Sequence, residues 1–195
     1  MSRRSRFLAI LGTLTFAFVG AARGQVITEF SIPTAASGAS NGLSGVYTAD
    51  VFAATGPLPV GVFRVYNDAG AAGTTGFNEE QVLLTDALTT SQTAVLVAPI
   101  DSAKFRFNIG VRTFSLSASI TVTVRDANGA VTRVVTKSYP AIFFQQGTAA
   151  DFLGAPLDSN SSIEIRVDAG SLIVYGATAD NITQDPSLQL ARRVS

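Results

Sequence analysis

Two short polar segments carry the oxygen atoms that a metal ion or a sugar would need. Asp158–Ser162 offers side-chain oxygens at alternate positions, as calcium-binding loops do, and Asp180–Asp185 is a second oxygen-rich segment. The candidate ligands are Asp158, Asn160, Asp180, Asn181 and Asp185. A calcium loop also needs a glycine turn and a downstream bidentate carboxylate, whereas Glu164 is patterned as the exposed face of a strand. We therefore expect both segments to be Asx-stabilised turns, with no metal and no cofactor.

The chain lacks the side chains that most enzymes use for nucleophilic and redox chemistry. It contains no His and no Cys, which excludes a Ser-His-Asp triad, a thiol nucleophile, a His/Cys zinc site and haem or iron–sulfur ligation. Glu79 and Glu80 are adjacent, so on a strand they point to opposite faces and cannot pair as glycosidase carboxylates; such acids are expected on the solvated surface. A Ser-Lys dyad needs a buried lysine, and Lys104 and Lys137 are expected at strand edges or in solvent. We predict no enzyme activity.

Composition also limits the classes of partner. Lys and Arg number 14, Asp and Glu number 14, and only 14% of residues are charged, so a basic face for nucleic acid is not expected. A sugar-stacking platform has no Trp to draw on. The aromatic candidates with a polar edge are Tyr47, Tyr66, Tyr139 and Tyr175, which we expect to be half-buried supports. Five phenylalanines are expected in the core: Phe105, Phe107, Phe143, Phe144 and Phe152.

The first 24 residues have the three-part pattern of a secretory signal peptide. Three arginines (Arg3, Arg4 and Arg6) precede the apolar run Phe7–Val19, and small residues follow up to Gly24. The apolar run is shorter than the roughly 20 residues that span a bilayer. We predict cleavage near Gly24 and a secreted, periplasmic or extracellular protein with no membrane span; the alternative is a retained N-terminal anchor. Cleavage removes four of the 14 basic residues and no acidic one, which leaves a net charge of −4.

Most of the remaining chain has the period of β-strands. Apolar residues occupy every second position in residues 104–112, 120–125 and 163–168, a pattern that buries one face of a strand and leaves the other in water. Further candidate strands are Val26–Ile32, Val46–Ala54, Val60–Asn67, Ala94–Ala98, Ala130–Tyr139, Leu172–Thr178 and Leu188–Arg192. Seven to ten strands at short spacing favour an all-β fold, an Ig-like or jelly-roll-type β-sandwich of two antiparallel sheets with at most one short helix.

Turn residues support this assignment. Asp126-Ala127-Asn128-Gly129 lies between two strands, where Asn-Gly is expected to supply the positive φ angles of a tight hairpin. Asp168–Ser171 is expected to reverse the chain between the next two strands. The one short helix is predicted at Thr148–Leu153, with Thr148 as N-cap and Asp151 beside the free backbone N–H groups of the first turn.

A short internal similarity raises the question of domain number. Val60–Asp68 lines up with Ile173–Asn181, and each segment ends in an Asn/Asp pair. The size of the mature chain predicts that residues 25–195 form one β-sandwich domain. The alternative is a shortened first unit, residues 25–76, followed by a full unit, residues 77–195.

Residues 94–190, and more loosely 46–76, resemble an uncharacterised module of secreted bacterial proteins. The resemblance rests on Lys104–Arg112, Ile120–Gly129 and Leu172–Asn181 followed by Asp185-Pro186, which fit the pattern F-R-x-N-[IVL]-G, V-x-[VL]-R-D-x-x-G and D-N. In that module these motifs mark an Ig-like β-sandwich. The resemblance implies this fold and carries over no active-site residue.

The expected function is that of an exported, non-catalytic β-sandwich module with a structural, adhesive or protein-interaction role, acting through loops at one end or through a sheet edge. One alternative is a carbohydrate- or calcium-binding module that uses residues 158–162 and 180–185. Another is a fibre subunit in which Val26–Ile32 adds to the sheet of a neighbour. The partner is an unidentified protein or surface glycan, and a monomer and a self-assembling chain both remain open.

Overall fold

The computed structural model describes residues 8–13, 26–32, 46–53, 63–68, 70–79 and 81–194. Strands predominate throughout these residues, as the period of two predicted. The chain divides into two compact units, Met1–Asp86 and Ala87–Ser195. This division falls later than the residue 76/77 boundary proposed from the internal similarity, and the duplication itself stays a prediction.

The N-terminal unit contains a four-stranded sheet and a hairpin. Its strands are β1 (Leu8–Thr13), β2 (Val26–Ile32), β3 (Val46–Ala53), β4 (Phe63–Asp68), β5 (Thr74–Glu79) and β6 (Val82–Leu83), with 3₁₀ turns at Gly70–Ala72 and Leu84–Asp86. The sheet order is β2-β3-β1-β6, in which β2 runs parallel to β3 and the other neighbours are antiparallel. The antiparallel pair β4-β5 forms a separate two-stranded sheet.

The C-terminal unit contains two antiparallel sheets and one short helix. Its elements are β7 (Leu88–Thr89), β8 (Thr93–Val97), β9 (Phe105–Thr113), β10 (Ala118–Arg125), β11 (Val131–Tyr139), β12 (Phe144–Thr148), α1 (Ala149–Leu153), β13 (Ser162–Ala169), β14 (Ser171–Asp180), β15 (Pro186–Leu190) and β16 (Arg192–Arg193). Sheet I has the order β11-β10-β13-β8-β16, and sheet II has the order β12-β9-β14-β15, with β7 also paired to β14. The predicted all-β sandwich with one short helix is confirmed.

The core of this unit is the apolar layer between the two sheets. Sheet I contributes alternate residues of β10 and β13, including Ile120, Val122 and Ile165, and sheet II contributes Ile109, Val111 and Val174. Burying a side chain of this size stabilises the fold by about 1.5–3 kcal/mol. Because the chain has no cysteine, this packing acts without any disulfide.

Strict alternation between buried and exposed residues holds for β10 but not for β9. In β10 the threonines between the buried residues are partly exposed, as predicted. In β9 the prediction that the intervening residues lie in water is wrong, because Asn108 and Arg112 are buried as well. The Arg112 guanidinium donates to the carbonyl of Thr113 and lies 5.3 Å from the centre of the Phe114 ring.

Two strands of sheet II approach each other closely at a glycine. Tyr175 on β14 is fully buried, and its ring lies over Gly110 on β9, its partner in the strand register. The Tyr175 hydroxyl donates to Gln146 Oε1 at 2.6 Å, so β12 is tied to the same contact. Any side chain at position 110 would overlap the ring.

The hairpin between β10 and β11 forms at the predicted residues by a different mechanism. Gly129 has a positive φ of 85°, but Asn128 does not adopt a positive φ. Instead, Asp126 Oδ1 accepts hydrogen bonds from the backbone N–H groups of Asn128 and Ala130, both at 2.9 Å, and the register shifts between Val124 and Arg125. An Asx-type turn followed by a glycine bulge replaces the two-residue turn.

Helix α1 has the cap that the sequence predicted. The Thr148 side chain accepts a hydrogen bond from Asp151 N at 3.0 Å, and Gly154 ends the helix in a left-handed conformation. The helix lies between the outer strands β11 and β12, where Lys137 Nζ sits 5.1 Å from the centre of the Phe152 ring and Arg133 donates to the Leu153 carbonyl. Lys137 is therefore half-buried against the helix rather than in solvent.

The opposite side of the sandwich is closed by strands that change sheets. β7 pairs with β14 in sheet II, and β8, which follows directly, pairs with β13 in sheet I. Likewise, β15 pairs with β14 whereas β16 pairs with β8. The Gln189 carboxamide accepts from Val97 N at 3.1 Å and donates to Val97 O at 2.7 Å, so it bridges the two sheets as a peptide group would. Asp168–Ser171 reverses the chain as expected, but it too leads from sheet I into sheet II.

The predicted signal peptide, residues 1–24, includes β1, which pairs with β3 and β6. The rest of this segment lies outside the described residues. Cleavage near Gly24 would remove β1 from the sheet, and the signal peptide stays a prediction. No helix among the described residues is long and apolar enough to cross a membrane.

The close approach at Gly110 predicts a large difference between two glycines of sheet II. Gly110→Ala is expected to destabilise the chain by about 2–3 kcal/mol or more, because the added methyl group overlaps the Tyr175 ring. The matched control is Gly147→Ala on β12, where the nearest atom to an added Cβ is 4.0 Å away. Urea unfolding measures both variants. Equal stability of the two would contradict the packing of Tyr175 on Gly110.

Candidate functional site

The connecting loops of the C-terminal unit separate into two ends of opposite character. The pairs Arg125–Ser162 and Ser162–Val97 in sheet I, and Phe105–Asp180 in sheet II, fix which loops share an end. One end, called here the acidic end, comprises residues 98–104, 126–130, 154–161 and 180–185. It carries five aspartates: Asp101, Asp126, Asp158, Asp180 and Asp185.

Hydrogen bonds connect three of these loops into one surface. Ser102 N donates to Ser159 Oγ at 3.1 Å, and Asn160 N donates to Pro99 O at 2.9 Å. Asn181 N donates to Lys104 O at 2.8 Å, while Asn181 Nδ2 donates to Ala103 O at 2.9 Å. The segment between β8 and β9 therefore joins the two oxygen-rich segments that the sequence singled out. That segment was not recognised as part of the site from the sequence.

Several of the predicted candidate ligands build turns. Asp180 Oδ1 accepts from Ile182 N at 2.8 Å and from Thr183 N at 2.7 Å, which is an Asx turn. These backbone donors, that of Thr183 first, hold the pKa of Asp180 below its ordinary value. Asn160 adopts a left-handed φ of 58°, which asparagine tolerates better than most residues. Asn181 is engaged with the neighbouring loop as described above.

The other two candidate ligands, Asp158 and Asp185, are exposed and make no side-chain hydrogen bond to a described residue. Nowhere in the described parts of the chain do three or more His, Cys, Asp or Glu side chains come together as a metal ion would require. The five candidates thus share one end of the sandwich without converging on one point.

Arg106 connects the acidic end to β9. Its Nη2 donates to Gln184 Oε1 at 2.6 Å, and its Nη1 lies 3.5 Å from the carbonyl oxygen of Asp180. Burial lowers the pKa of Arg106, and the charge of Asp180 acts in the opposite direction. A guanidinium stays charged at any physiological pH, so Arg106 holds the 180–185 loop as a charged donor throughout this range.

Two isoleucines protrude from the acidic end. Ile182 is 89% exposed and Ile100 is 78% exposed, and they lie on the two loops that Asn181 joins. Neither was identified from the sequence, although Ile182 stands out as the one aliphatic residue inside the polar segment Asp180–Asp185. Removing an exposed aliphatic side chain from water is favourable. Ile100 and Ile182 are therefore the residues of this surface best suited to contact another molecule.

A small cavity lies beside α1. Its volume is about 50 Å³, and its lining includes Ile109, Val111, Lys137, Asp151 and Phe152. This space is large enough to hold a few water molecules. Phe152 packs against the core from here, and Phe107 and Phe144 are buried, as expected for the phenylalanines.

The tyrosines do not form an exposed platform in the described part of the chain. The prediction that the tyrosines are half-buried is wrong for Tyr139 and Tyr175, which are buried, and burial raises the pKa of Tyr139. Tyr66 is exposed, whereas the side chain of Tyr47 lies outside what the structure describes. Stacking of a sugar on several tyrosines therefore finds no support among these residues.

Two acidic residues of the N-terminal unit are buried, Asp50 and Glu79. Glu79, at the end of β5 and opposite Phe63, is only 6% exposed, so its assignment to the solvated surface is wrong. Neither carboxylate oxygen has a hydrogen-bond partner among the described residues, and burial raises its pKa to about 8. Glu80, its neighbour in sequence, lies outside the described residues.

Comparison with known proteins identifies no family for this chain. No protein-family model and no curated protein matches the chain. One solved structure, that of Thermotoga maritima 1070, is similar with 12% sequence identity and a TM-score of 0.42, over 55% of this chain and 96% of that one. At this level neither the fold nor the function of that protein is carried over.

Burial of Glu79 predicts a pH-dependent stability. Its folded pKa of about 8 exceeds the ordinary value of 4.5, so the folded state favours the protonated acid. The contribution is present below about pH 4.5 and is lost as the pH rises through about 8, a decrease of order 3–5 kcal/mol in the free energy of unfolding. Glu79→Gln should abolish this slope, while the control Glu164→Gln on sheet I should preserve it. Urea unfolding across this pH range would contradict the burial if wild type and Glu79→Gln gave parallel curves.

Proposed function

We propose that this chain is an exported, non-catalytic β-sandwich module that binds a protein partner through its acidic end. Three kinds of support converge: the signal-peptide pattern of residues 1–24, the absence of His and Cys, and the loop surface of the C-terminal unit. The observation that carries the proposal is that the protruding Ile100 and Ile182 lie on hydrogen-bonded loops that also carry four aspartates, Asp101, Asp158, Asp180 and Asp185.

The hydrogen bonds between these loops matter for binding because they reduce the entropy that association would cost. Ser102 to Ser159 and Asn181 to Ala103 hold the two isoleucine-bearing loops before any partner arrives. Burying both isoleucines against a partner would contribute about 3–6 kcal/mol before the cost of association is subtracted. A rigid scaffold with functional loops at one end is a common arrangement in binding proteins.

The charges of the acidic end indicate the chemistry of the partner. Five aspartates lie on the loops of this end, and Lys104, which is exposed, is the one Lys or Arg in those loops. A basic protein surface with an apolar recess therefore complements this end, since the carboxylates would accelerate encounter and the isoleucines would supply most of the binding energy. The partner is then a cationic protein exposed outside the cytoplasm.

Capture experiments test this proposal. Ile182→Ser is expected to weaken capture of a partner from the envelope fraction of the producing cell by about tenfold, because one aliphatic contact is lost. Added salt should weaken capture further, because it screens the aspartates. The measurement is quantitative pull-down with the immobilised exported chain.

The matched control is Val134→Ser, which removes an exposed aliphatic side chain from the outer face of sheet I. Equal losses from Ile182→Ser and Val134→Ser would exclude the acidic end as the binding surface. Substrate turnover by the purified exported chain would overturn the non-catalytic assignment.

The exported chain either loses or keeps residues 1–24, and we propose that cleavage near Gly24 removes them. Intact mass of the exported chain distinguishes the two, with residues 25–195 expected. Recovery of the uncleaved chain anchored in a membrane would overturn this part of the proposal.

Assembly into a fibre is the second candidate, and one observation favours it. β2 is the outermost strand of its sheet and pairs there with β3, so one backbone edge of Val26–Ile32 has no strand partner in that sheet. Cleavage near Gly24 leaves this edge open and, by removing β1, also opens the other edge of β3. Such an edge can receive a strand from another copy. Size-exclusion chromatography of the exported chain, with and without residues 25–45, tests this assembly. A monomer in both cases removes the fibre.

A further inference from the structure

The end of the sandwich opposite the acidic end carries a second pair of protruding aliphatic side chains. This neutral end comprises residues 90–92, 114–117, 140–143 and Gly170, and none of them is charged. Leu116, between β9 and β10, is 64% exposed, and Ile142, between β11 and β12, is 68% exposed. The two loops come from neighbouring strands and point away from the aspartates.

Hydrogen bonds fix these two loops to each other. Ile142 N donates to Phe114 O at 2.6 Å, and Thr113 N donates to Phe143 O at 2.9 Å. The Thr113 hydroxyl donates to Pro140 O at 2.6 Å and accepts from Phe143 N at 3.0 Å. The aliphatic pair is therefore held in place before it contacts anything.

Ile142 also has an unfavourable backbone conformation. Its φ of 53° lies in the left-handed region, where a β-branched residue is a true outlier. An asparagine or glycine would fit this position with less strain, and it would also remove the exposed apolar surface. The fold thus maintains an exposed isoleucine at a cost, which is typical of strain at functional surfaces.

Charge is distributed unequally between the two ends. The five aspartates lie at the acidic end, whereas the chain after β16 runs towards the neutral end, since Val194 N donates to Thr93 O. β16 itself consists of Arg192 and Arg193, both exposed, and Arg193 Nη2 donates to Ala87 O at 2.9 Å. An anionic surface would therefore attract the neutral end and repel the opposite one.

We propose that the neutral end docks on a lipid bilayer containing anionic headgroups, with Leu116 and Ile142 inserted at the boundary between headgroups and acyl chains. Insertion of these loops dehydrates no charged side chain, and the two arginines meet the headgroups from the side. A second copy is the weaker occupant, because a stable dimer buries about 800 Å² on each partner and two aliphatic side chains supply a minor part of that. This surface is separate from the acidic end, so a partner could be bound at the same time.

A lone tryptophan makes the test specific to one position. The chain contains no Trp, so Leu116→Trp in the full chain places a single reporter at the neutral end, and Ile100→Trp places one at the acidic end as the matched control. The probe is a vesicle of phosphatidylcholine and phosphatidylglycerol, with and without bromine-labelled acyl chains. We expect a blue shift and bromine quenching for position 116 and neither for position 100. Because quenching requires that residue itself to enter the bilayer, binding by another segment does not mimic it.

A second substitution in the Leu116→Trp chain tests the role of Ile142. Ile142→Asn suits the left-handed backbone and should leave the fold intact, but it should lower the partition coefficient about tenfold through loss of one aliphatic chain. Ile182→Asn, the corresponding change at the acidic end, should leave partitioning unchanged. Omitting phosphatidylglycerol should also weaken binding. The proposal is overturned if positions 116 and 100 respond equally or if fluorescence from position 116 is not quenched. It is also overturned, in favour of a second copy, if the blue shift rises with protein concentration in the absence of vesicles.

Discussion

The apolar layer between sheets I and II is the constraint on which the rest of the C-terminal unit depends. Ile120, Val122 and Ile165 from one sheet meet Ile109, Val111 and Val174 from the other, and no covalent cross-link supplements them. Because both sheets must stay in register to keep this layer dry, the strand ends are fixed, and so are the loops that leave them. The precision of both loop surfaces therefore originates in packing some distance from either surface.

A sandwich held together by packing must also manage its open sides. On one side, the chain itself changes sheets twice, and the Gln189 carboxamide completes the link by bonding to both backbone groups of Val97. On the other side, α1 fills the gap between β11 and β12, with Lys137 and Arg133 directed at it. Inward charges on an outer strand also discourage uncontrolled pairing with other chains, so these two residues protect the edge as well as the helix.

The two ends of the sandwich differ in charge. Aspartates shape the loops of one end through Asx turns, and the same carboxylates leave that end negative. The opposite end has no charge and is cross-linked by Thr113 and by the Ile142 N–H group. Both ends present aliphatic side chains on loops that hydrogen bonds hold rigid.

Local interactions explain what the sequence by itself determined. A period of two gave the strands, Thr148 and Asp151 gave the helix cap, and Asp126 with Gly129 gave the position of a hairpin, because each feature depends on residues only a few positions apart. The tertiary structure decided which strands share a sheet, that β9 is buried on both faces, that residues 98–104 join the two oxygen-rich segments, and that Ile100 and Ile142 protrude. These outcomes follow from pairing between distant segments of the chain. The sequence around an aliphatic residue in a polar loop is the same whether the folded structure covers that side chain or leaves it in water.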